Sequence, residues 1–222
     1  MARATGRDRL RERLLFASLA HVPFDGWTRA ALAAAVRDLK LEPAAADSAF
    51  PGGMTELVEF FNQLADRRML EALEGRDLAA LRVGERIAAA VRLRLEQNAP
   101  YREAMRRGLA FLALPQNAAL GARLLFRTVN AIWYAAGDSS TDYNFYTKRA
   151  LLAGVYAATV LYWLNDRSEG AAETWAFLDR RLADVMRVPR ALGRLGKLAE
   201  KLPDPFRLFR RRSADETARR NP

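Results

Sequence analysis

The segment GDSSTDYNFYTKRALLAGVYAATVLYWLND, residues 137–166, determines how the rest of the chain is arranged. Gly137 follows an apolar run with helical periodicity, and three successive N-cap candidates stand at 139–141, so one helix is predicted to end and another to begin here. Residues 150–164 contain no charge, and this run is shorter than the about 20 residues of helix that cross a bilayer. The segment therefore predicts a helix buried on most sides, inside one subunit or between two.

The composition predicts an all-α protein and excludes several kinds of catalytic site. Half of the 222 residues are apolar, Ala, Leu, Arg and Glu dominate, and β-branched residues are few. The chain has no cysteine, which excludes disulfides, thiolate metal sites and cysteine nucleophiles. Its one histidine, His21, cannot form a two-histidine metal site and is predicted to lie at a helix end or on the surface. A glycine loop for phosphate is also missing, so we expect neither catalysis nor a metal or cofactor.

The net charge of +10 is concentrated towards the end of the chain. Residues 187–212 carry seven Arg and two Lys against Glu200 and Asp204, a net charge of +7, whereas residues 21–186 are neutral overall. Leucines recur there at steps of three and four with cations on the other side, which is typical of a helix on an anionic membrane. The apolar side comprises Leu192, Leu195, Leu198, Leu202, Phe206 and Phe209, and the cationic side comprises Arg190, Arg194, Lys197 and Lys201. The alternative is a solvated amphipathic helix that packs on its own domain or on nucleic acid.

Helical periodicity and turn residues predict about ten helices. They cover residues 6–20, 28–39, 43–49, 55–74, 78–98, 101–114, 116–136, the segment after Gly137, 169–188 and a last stretch beyond Pro189. We expect a helix-turn-helix-like three-helix region at 1–53, a larger C-terminal helical bundle for ligand binding and dimerisation at 54–188, an amphipathic membrane-binding segment at 189–212 and a disordered tail at 213–222.

Apolar and aromatic side chains recur through three consecutive helices between Phe111 and Trp163. Ligand sites between the helices of a bundle are lined in this way. An ordinary core is lined in the same way, and periodicity does not separate the two. If a ligand is bound there, the residues that we expect to contact it are Phe111, Leu112, Leu125, Phe126, Trp133, Val155 and Tyr156.

Particular residues in and around the segment 137–166 match a known family. They are Gly137-Asp138, Ser140-Thr141-Asp142, Asn144, Tyr146-Thr147, Arg149, Asp166, Ser168, Thr174-Trp175 and Phe177-Leu178, preceded by Leu114-Pro115-Gln116-Asn117 and Trp133-Tyr134-Ala135. Through them the chain resembles, over nearly its whole length, an accessory family of ubiquinone biosynthesis, that of the ninth Coq protein. It departs from the family at Phe145, where the family usually carries Trp.

The resemblance implies an all-α, TetR-like fold, a homodimer, and a lipid or isoprenoid held in the C-terminal bundle of a protein that is not an enzyme. It also implies that a terminal amphipathic helix binds the membrane and that ubiquinone intermediates are presented to a demethoxyubiquinone hydroxylase. The family's surface for that hydroxylase matches here at Ile132, Asp142, Phe145, Tyr146 and Arg149. Since no signal peptide is visible, we expect a cytoplasmic protein that is peripheral on the inner membrane face.

The N-terminal part also resembles the TetR-like regulators, through Gly26-Trp27-Thr28, an Ala-rich helix, a short helix and Phe50-Pro51-Gly52-Gly53. A helix that reads DNA needs polar side chains for base edges and positive charge near phosphates. The short helix at 43–49 has no basic residue and contains Asp47. A TetR-like DNA-binding transcriptional regulator with a small-molecule pocket is therefore the second alternative, and we expect no specific nucleic acid partner.

Overall fold

The computed structural model describes residues 6–137 and 143–199, with side chains at 6–137 and 145–185. This described part consists of nine α-helices joined by turns and contains no β-strand, which confirms the all-α prediction. The helices are α1 Gly6–Asp25, α2 Arg29–Asp38, α3 Ala44–Ala49, α4 Gly53–Glu74, α5 Val83–Gln97, α6 Arg102–Ala113, α7 Ala118–Ala135, α8 Tyr143–Asn165 and α9 Ala172–Ala199. Single 3₁₀ turns precede α6, α7 and α9, at Ala99–Tyr101, Pro115–Asn117 and Glu169–Ala171.

The first three helices pack on one another and share their core with later helices. Thr28 caps α2, as predicted, by accepting a hydrogen bond from the backbone N–H of Ala31. Trp27 joins this region to the bundle, because its ring lies 5.4 Å from that of Phe61 in α4 and its Nε1 donates to the carbonyl of Ala104 in α6. The buried cluster around them includes Leu14, Leu15, Val22, Phe50, Leu57 and Leu124.

Helices α4 to α8 form the rest of the bundle. The α7 helix contacts α4, α5, α6 and α8, and α6 also contacts α1 and α8. Gly137 ends α7 with a φ of +86°, a left-handed conformation that glycine adopts without a steric penalty. The N-cap candidates Ser139, Ser140 and Thr141 lie outside the described residues. The α8 helix buries Leu152, Val155, Val160 and Trp163 but leaves Leu161 exposed.

Three helix boundaries differ from the predicted ones. The α1 helix continues past Ala20 to Asp25, since Val22 in this extension is buried in the core. The α5 helix begins at Val83, because the Asp77 carboxylate accepts from the N–H of Ala79 and holds a turn where helix was predicted. The α9 helix runs through Pro189 to Ala199, so the predicted break before a tenth helix is absent among the described residues. A proline removes one backbone hydrogen bond from a helix, and here the helix continues across it.

By contacts between Cα atoms the chain divides into two compact units, Met1–Leu182 and Ala183–Pro222. The boundary expected at residue 53 falls inside the first unit, which fits the shared core around Trp27. Among the described residues no single helix is long and apolar enough to cross a membrane. Two consecutive helical stretches, Ala99–Ala113 and Pro115–Ala135, are together long and apolar enough for a membrane span, but the chain bends by 95° between them.

Candidate functional site

A cavity of about 410 Å³ lies among helices α4, α5, α6, α7 and α8 of the first unit. Small-molecule sites in proteins occupy about 300–1,000 Å³, so the cavity is large enough for a ligand. Its walls combine large aliphatic side chains with several small residues, which leave space where the helices face one another. The walls include Val58, Met105, Leu109, Leu112, Leu125, Val160 and Leu161, with Gly108, Ala113, Ala118, Gly121, Ala122 and Ala157.

One part of the cavity wall is polar and is organised by Arg94 of α5. The guanidinium is only 2 % exposed, and its Nε donates to Oδ1 of Asp66 at 2.7 Å. Its Nη1 donates to the Tyr156 hydroxyl at 2.6 Å, and its Nη2 donates to Oδ1 of Asn62 at 3.1 Å. The Thr128 hydroxyl donates to the same carboxylate. Four helices therefore meet in one buried, hydrogen-bonded cluster beside an apolar space.

Of the seven residues expected to contact a lipid, three line the cavity and four do not. Leu112, Leu125 and Tyr156 line the cavity. Phe111 packs against the main core cluster, and Phe126 is exposed. The other two, Val155 and Trp133, are buried outside the cavity wall. Contact of these residues with a lipid stays a prediction.

Apart from Tyr156, the polar members of the wall (Asn62, Arg94 and Thr128) were missed by reasoning from the sequence alone, although one signal was present. Arg94 follows Ile87, Ala90 and Val91 at helical spacing, so it stands in the middle of the apolar stripe of α5. A charged residue at such a position must find a buried partner. In α4, Asn62 and Asp66 are four residues apart and supply that partner.

The surface expected to meet a partner enzyme is only partly exposed. Tyr146 is 70 % exposed at the start of α8, and its ring lies 5.1 Å from that of Phe145. Arg149 is buried, with its guanidinium carbon 3.3 Å from the centre of the Phe145 ring and its Nε donating to Oδ1 of Asn130. Ile132, in contrast, is 0 % exposed.

These positions change the role expected of each residue in that surface. Ile132 cannot touch a partner in this structure, because α7 directs its side chain into the core. Arg149 lies beneath the surface against the Phe145 ring, which leaves Tyr146 as the most exposed of the members that the structure describes. Asp142 lies outside the described residues.

The side chains expected to bind the membrane are not among those described. Arg190, Leu192, Arg194, Leu195, Lys197 and Leu198 belong to the helical stretch of α9, where the backbone alone is described. Lys201, Leu202, Phe206 and Phe209, and the whole tail 213–222, lie outside the described residues.

Several ionisable side chains in the described part form ion pairs between or within helices. No group of three or more His, Cys, Asp or Glu there is placed to hold a metal ion. His21 lies inside α1 near its end, and its Nε2 is 2.6 Å from Oδ2 of Asp38. It therefore joins α1 to α2.

Comparison with known proteins identifies similar sequences. Residues 118–189 match the family model described as COQ9. The rat "Ubiquinone biosynthesis protein COQ9, mitochondrial" is 39 % identical over 186 residues, which are 81 % of this chain and 59 % of the relative. The human protein of the same name is 38 % identical, over 81 % of this chain and 58 % of the relative. COQ9-B of Xenopus laevis is 34 % identical over 200 residues, 87 % of this chain and 68 % of the relative.

The chain spans about three fifths of the length of the rat and human relatives. Among solved structures, a TetR transcriptional regulator from Nitrosomonas europaea superposes with a TM-score of 0.69 at 22 % identity, over 81 % of this chain and 99 % of the regulator. At that identity the likeness concerns the fold alone, and it confirms the TetR-like prediction.

Proposed function

The chain belongs to the COQ9 family, and from that premise we propose that it is a non-catalytic, lipid-binding accessory protein of ubiquinone biosynthesis. Its role is to bind the membrane as a homodimer on the inner face and to present polyprenyl quinone intermediates to a demethoxyubiquinone hydroxylase. The curated relatives are named as ubiquinone biosynthesis proteins and as mitochondrial.

The observation that supports lipid binding best is the cavity among α4 to α8. A polyprenyl chain is nearly insoluble in water, so leaving a bilayer exposes apolar surface unless a protein covers it. Aliphatic walls such as those formed by Leu112, Leu125 and Val160 replace the lipid contacts with equivalent ones. The wall residue Leu161 is 57 % exposed, so the cavity also presents an apolar side chain to the outside.

Membrane binding is supported by the cationic, amphipathic segment 187–212. Each cation near an anionic surface contributes about 1 kcal/mol, so the net charge of +7 is sufficient for reversible attachment. Partner binding is supported by Tyr146, an exposed aromatic residue that stands beside Phe145 at the start of α8. Exposed aromatic residues of this kind are enriched where proteins bind one another.

The test is to identify the lipid that co-purifies with the full chain, by solvent extraction and mass spectrometry. We expect a polyprenyl quinone or phenol in wild type, and its loss in Ala157→Phe, which places a large ring in the cavity. The matched control is Ala150→Phe, on the exposed side of the same helix, which should keep the lipid. Absence of isoprenoid from wild type, or equal amounts in both variants, would overturn the proposal.

A further inference from the structure

The polar cluster beside the cavity is neutral as a whole. Arg94 and Asp66 cancel each other's charge through the 2.7 Å contact between Nε and Oδ1. Arg94 lines the cavity, but its charge is already neutralised by Asp66, so the wall offers no net positive charge to a second anion in this region of low dielectric constant. The cluster therefore favours neutral polar groups over phosphates and carboxylates.

Tyr156 has one hydrogen-bonding function that the described residues leave unused. Its oxygen accepts from Nη1 of Arg94 at 2.6 Å. A phenol also carries one O–H donor, and no acceptor for it exists among the described residues, although the side chain is only 7 % exposed. Burial raises the pKa of Tyr156 above its ordinary value despite the opposing effect of Arg94. The hydroxyl thus keeps its proton at neutral pH and stays a donor.

The bond from Arg94 also makes this donor stronger. A hydrogen bond from a cation withdraws electron density from the phenol oxygen, and hydrogen bonds in a chain polarise one another. Buried donors are normally satisfied. Both Tyr156 and Arg94 line the cavity, so a molecule in it can supply the missing acceptor.

On these grounds, and resting on the proposed function, we propose that the ligand enters head group first and that Tyr156 donates a hydrogen bond to a neutral acceptor oxygen, the carbonyl of a quinone ring. The tail then runs out past Leu109 and Leu161, two apolar wall residues that are exposed. This orientation pairs the only polar part of the ligand with the polar part of the wall, and the chain with the aliphatic part.

The experiment uses the full chain and three probes that share a ten-carbon chain. They are a dimethoxybenzoquinone bearing a decyl group, decylbenzene, and decanoate. Affinity is measured for wild type, Tyr156→Phe, and the control Tyr162→Phe. Tyr162 lies on α8 outside the cavity wall, and its hydroxyl contacts Glu173 of α9. We expect Tyr156→Phe to bind the quinone about tenfold more weakly, as loss of one hydrogen bond implies. Decylbenzene and decanoate affinities should not change, and Tyr162→Phe should equal wild type.

A second measurement does not depend on affinity. Infrared spectra of the bound quinone should show its carbonyl band at lower wavenumber in wild type and a return towards the free value in Tyr156→Phe. An unchanged band together with unchanged quinone affinity would overturn the head-inward arrangement while leaving lipid binding intact. Tighter binding of decanoate that depends on Tyr156 would overturn it in favour of an anionic ligand. Failure of wild type to bind the quinone or decylbenzene would overturn both proposals.

Discussion

Nε of Arg94 and Oδ1 of Asp66 lie 2.7 Å apart in the interior, and this ion pair joins α5 to α4. The free energy needed to remove two charges from water is about equal to the free energy gained from their attraction, so such a pair adds little net stability. Its role is to fix the alignment of the two helices and to hold Tyr156 in place at the cavity wall.

Arg94→Met should destabilise the protein by about 3 kcal/mol, because it leaves the Asp66 carboxylate, whose side chain is only 13 % exposed, without a cation. The measurement is the free energy of unfolding in urea. The double variant Arg94→Met/Asp66→Asn should lose less free energy of unfolding than the single variant, since it leaves no unpaired charge in the cluster.

Arg92 of the same helix is the matched control. It pairs with Asp179 at 2.6 Å, but both side chains are substantially exposed. Arg92→Met should therefore cost less than about 1 kcal/mol. Equal losses for the two single variants would contradict the assignment of Arg94 as a buried, position-fixing residue.

Most of the fold was predictable because helix periodicity and capping residues are local signals. Thr28 and Gly137 marked helix ends correctly, whereas α5 began later than predicted, since the turn held by Asp77 depends on one side-chain contact. The cavity was less predictable. The same apolar spacing describes Leu125, which lines it, and Val155, which does not. Only the packing of five helices decides which side chains border an empty space.

Several residues that carry the family resemblance have a structural explanation. The Asp166 carboxylate accepts from the backbone N–H and the hydroxyl of both Ser168 and Thr174, so it organises the turn before α9. The Trp175 Nε1 donates to the carbonyl of Gly170 in the same turn. This part of the signature therefore specifies how α8 connects to α9.

Replacing Asp166 by Asn should destabilise the protein at neutral pH and much less in acid. Burial alone would raise the pKa of Asp166, but the hydrogen bonds from Ser168 and Thr174 outweigh it and hold the pKa well below its usual value. The folded state thus favours the ionised form. Its stabilising effect is complete above the unfolded pKa of about 4, and it is lost progressively as the pH falls from there towards the lower pKa of the folded state.

Urea unfolding of wild type and Asp166→Asn at pH 7 and about pH 2 measures this effect. We expect a difference of about 1–2 kcal/mol at pH 7 that narrows at about pH 2, between the unfolded and folded pKa values of Asp166. Asp47→Asn, at an exposed position of α3, should show a small difference at both values. If the difference in free energy of unfolding between wild type and Asp166→Asn were larger in acid than at pH 7, the pKa of Asp166 would not be lowered in the folded state.

Tyr146→Ala should weaken capture of a demethoxyubiquinone hydroxylase by about tenfold, because truncating one central aromatic residue at an interface costs about 1–2 kcal/mol or more. Pull-down with purified hydroxylase measures it, and the lipid content should stay unchanged, since Tyr146 is outside the cavity wall. Phe24→Ala is the control, because Phe24 is an equally exposed aromatic residue of α1. If both variants bind the hydroxylase like wild type, the partner surface lies elsewhere.

Deleting residues 189–222 should abolish flotation with anionic liposomes. The deletion removes most of the net charge of +7 carried by residues 187–212 together with the apolar side of the segment. Deleting only 213–222 is the matched control, since its two Arg and two acidic residues balance. That shorter variant should float like wild type. Persistent flotation without residues 189–222 would remove this segment from the membrane-binding proposal.

Duplex DNA should bind weakly and without sequence preference, despite the likeness in fold to a transcriptional regulator. The α3 helix occupies Ala44–Ala49 and reads AAADSA, so it offers no cation to a phosphate and places Asp47 in its first turn. Without specific contacts we expect dissociation constants of about 10⁻⁴–10⁻⁶ M at physiological salt, equal for random and palindromic duplexes in a mobility-shift titration. A mobility shift at nanomolar concentration for one DNA sequence would contradict this prediction and favour the regulator alternative.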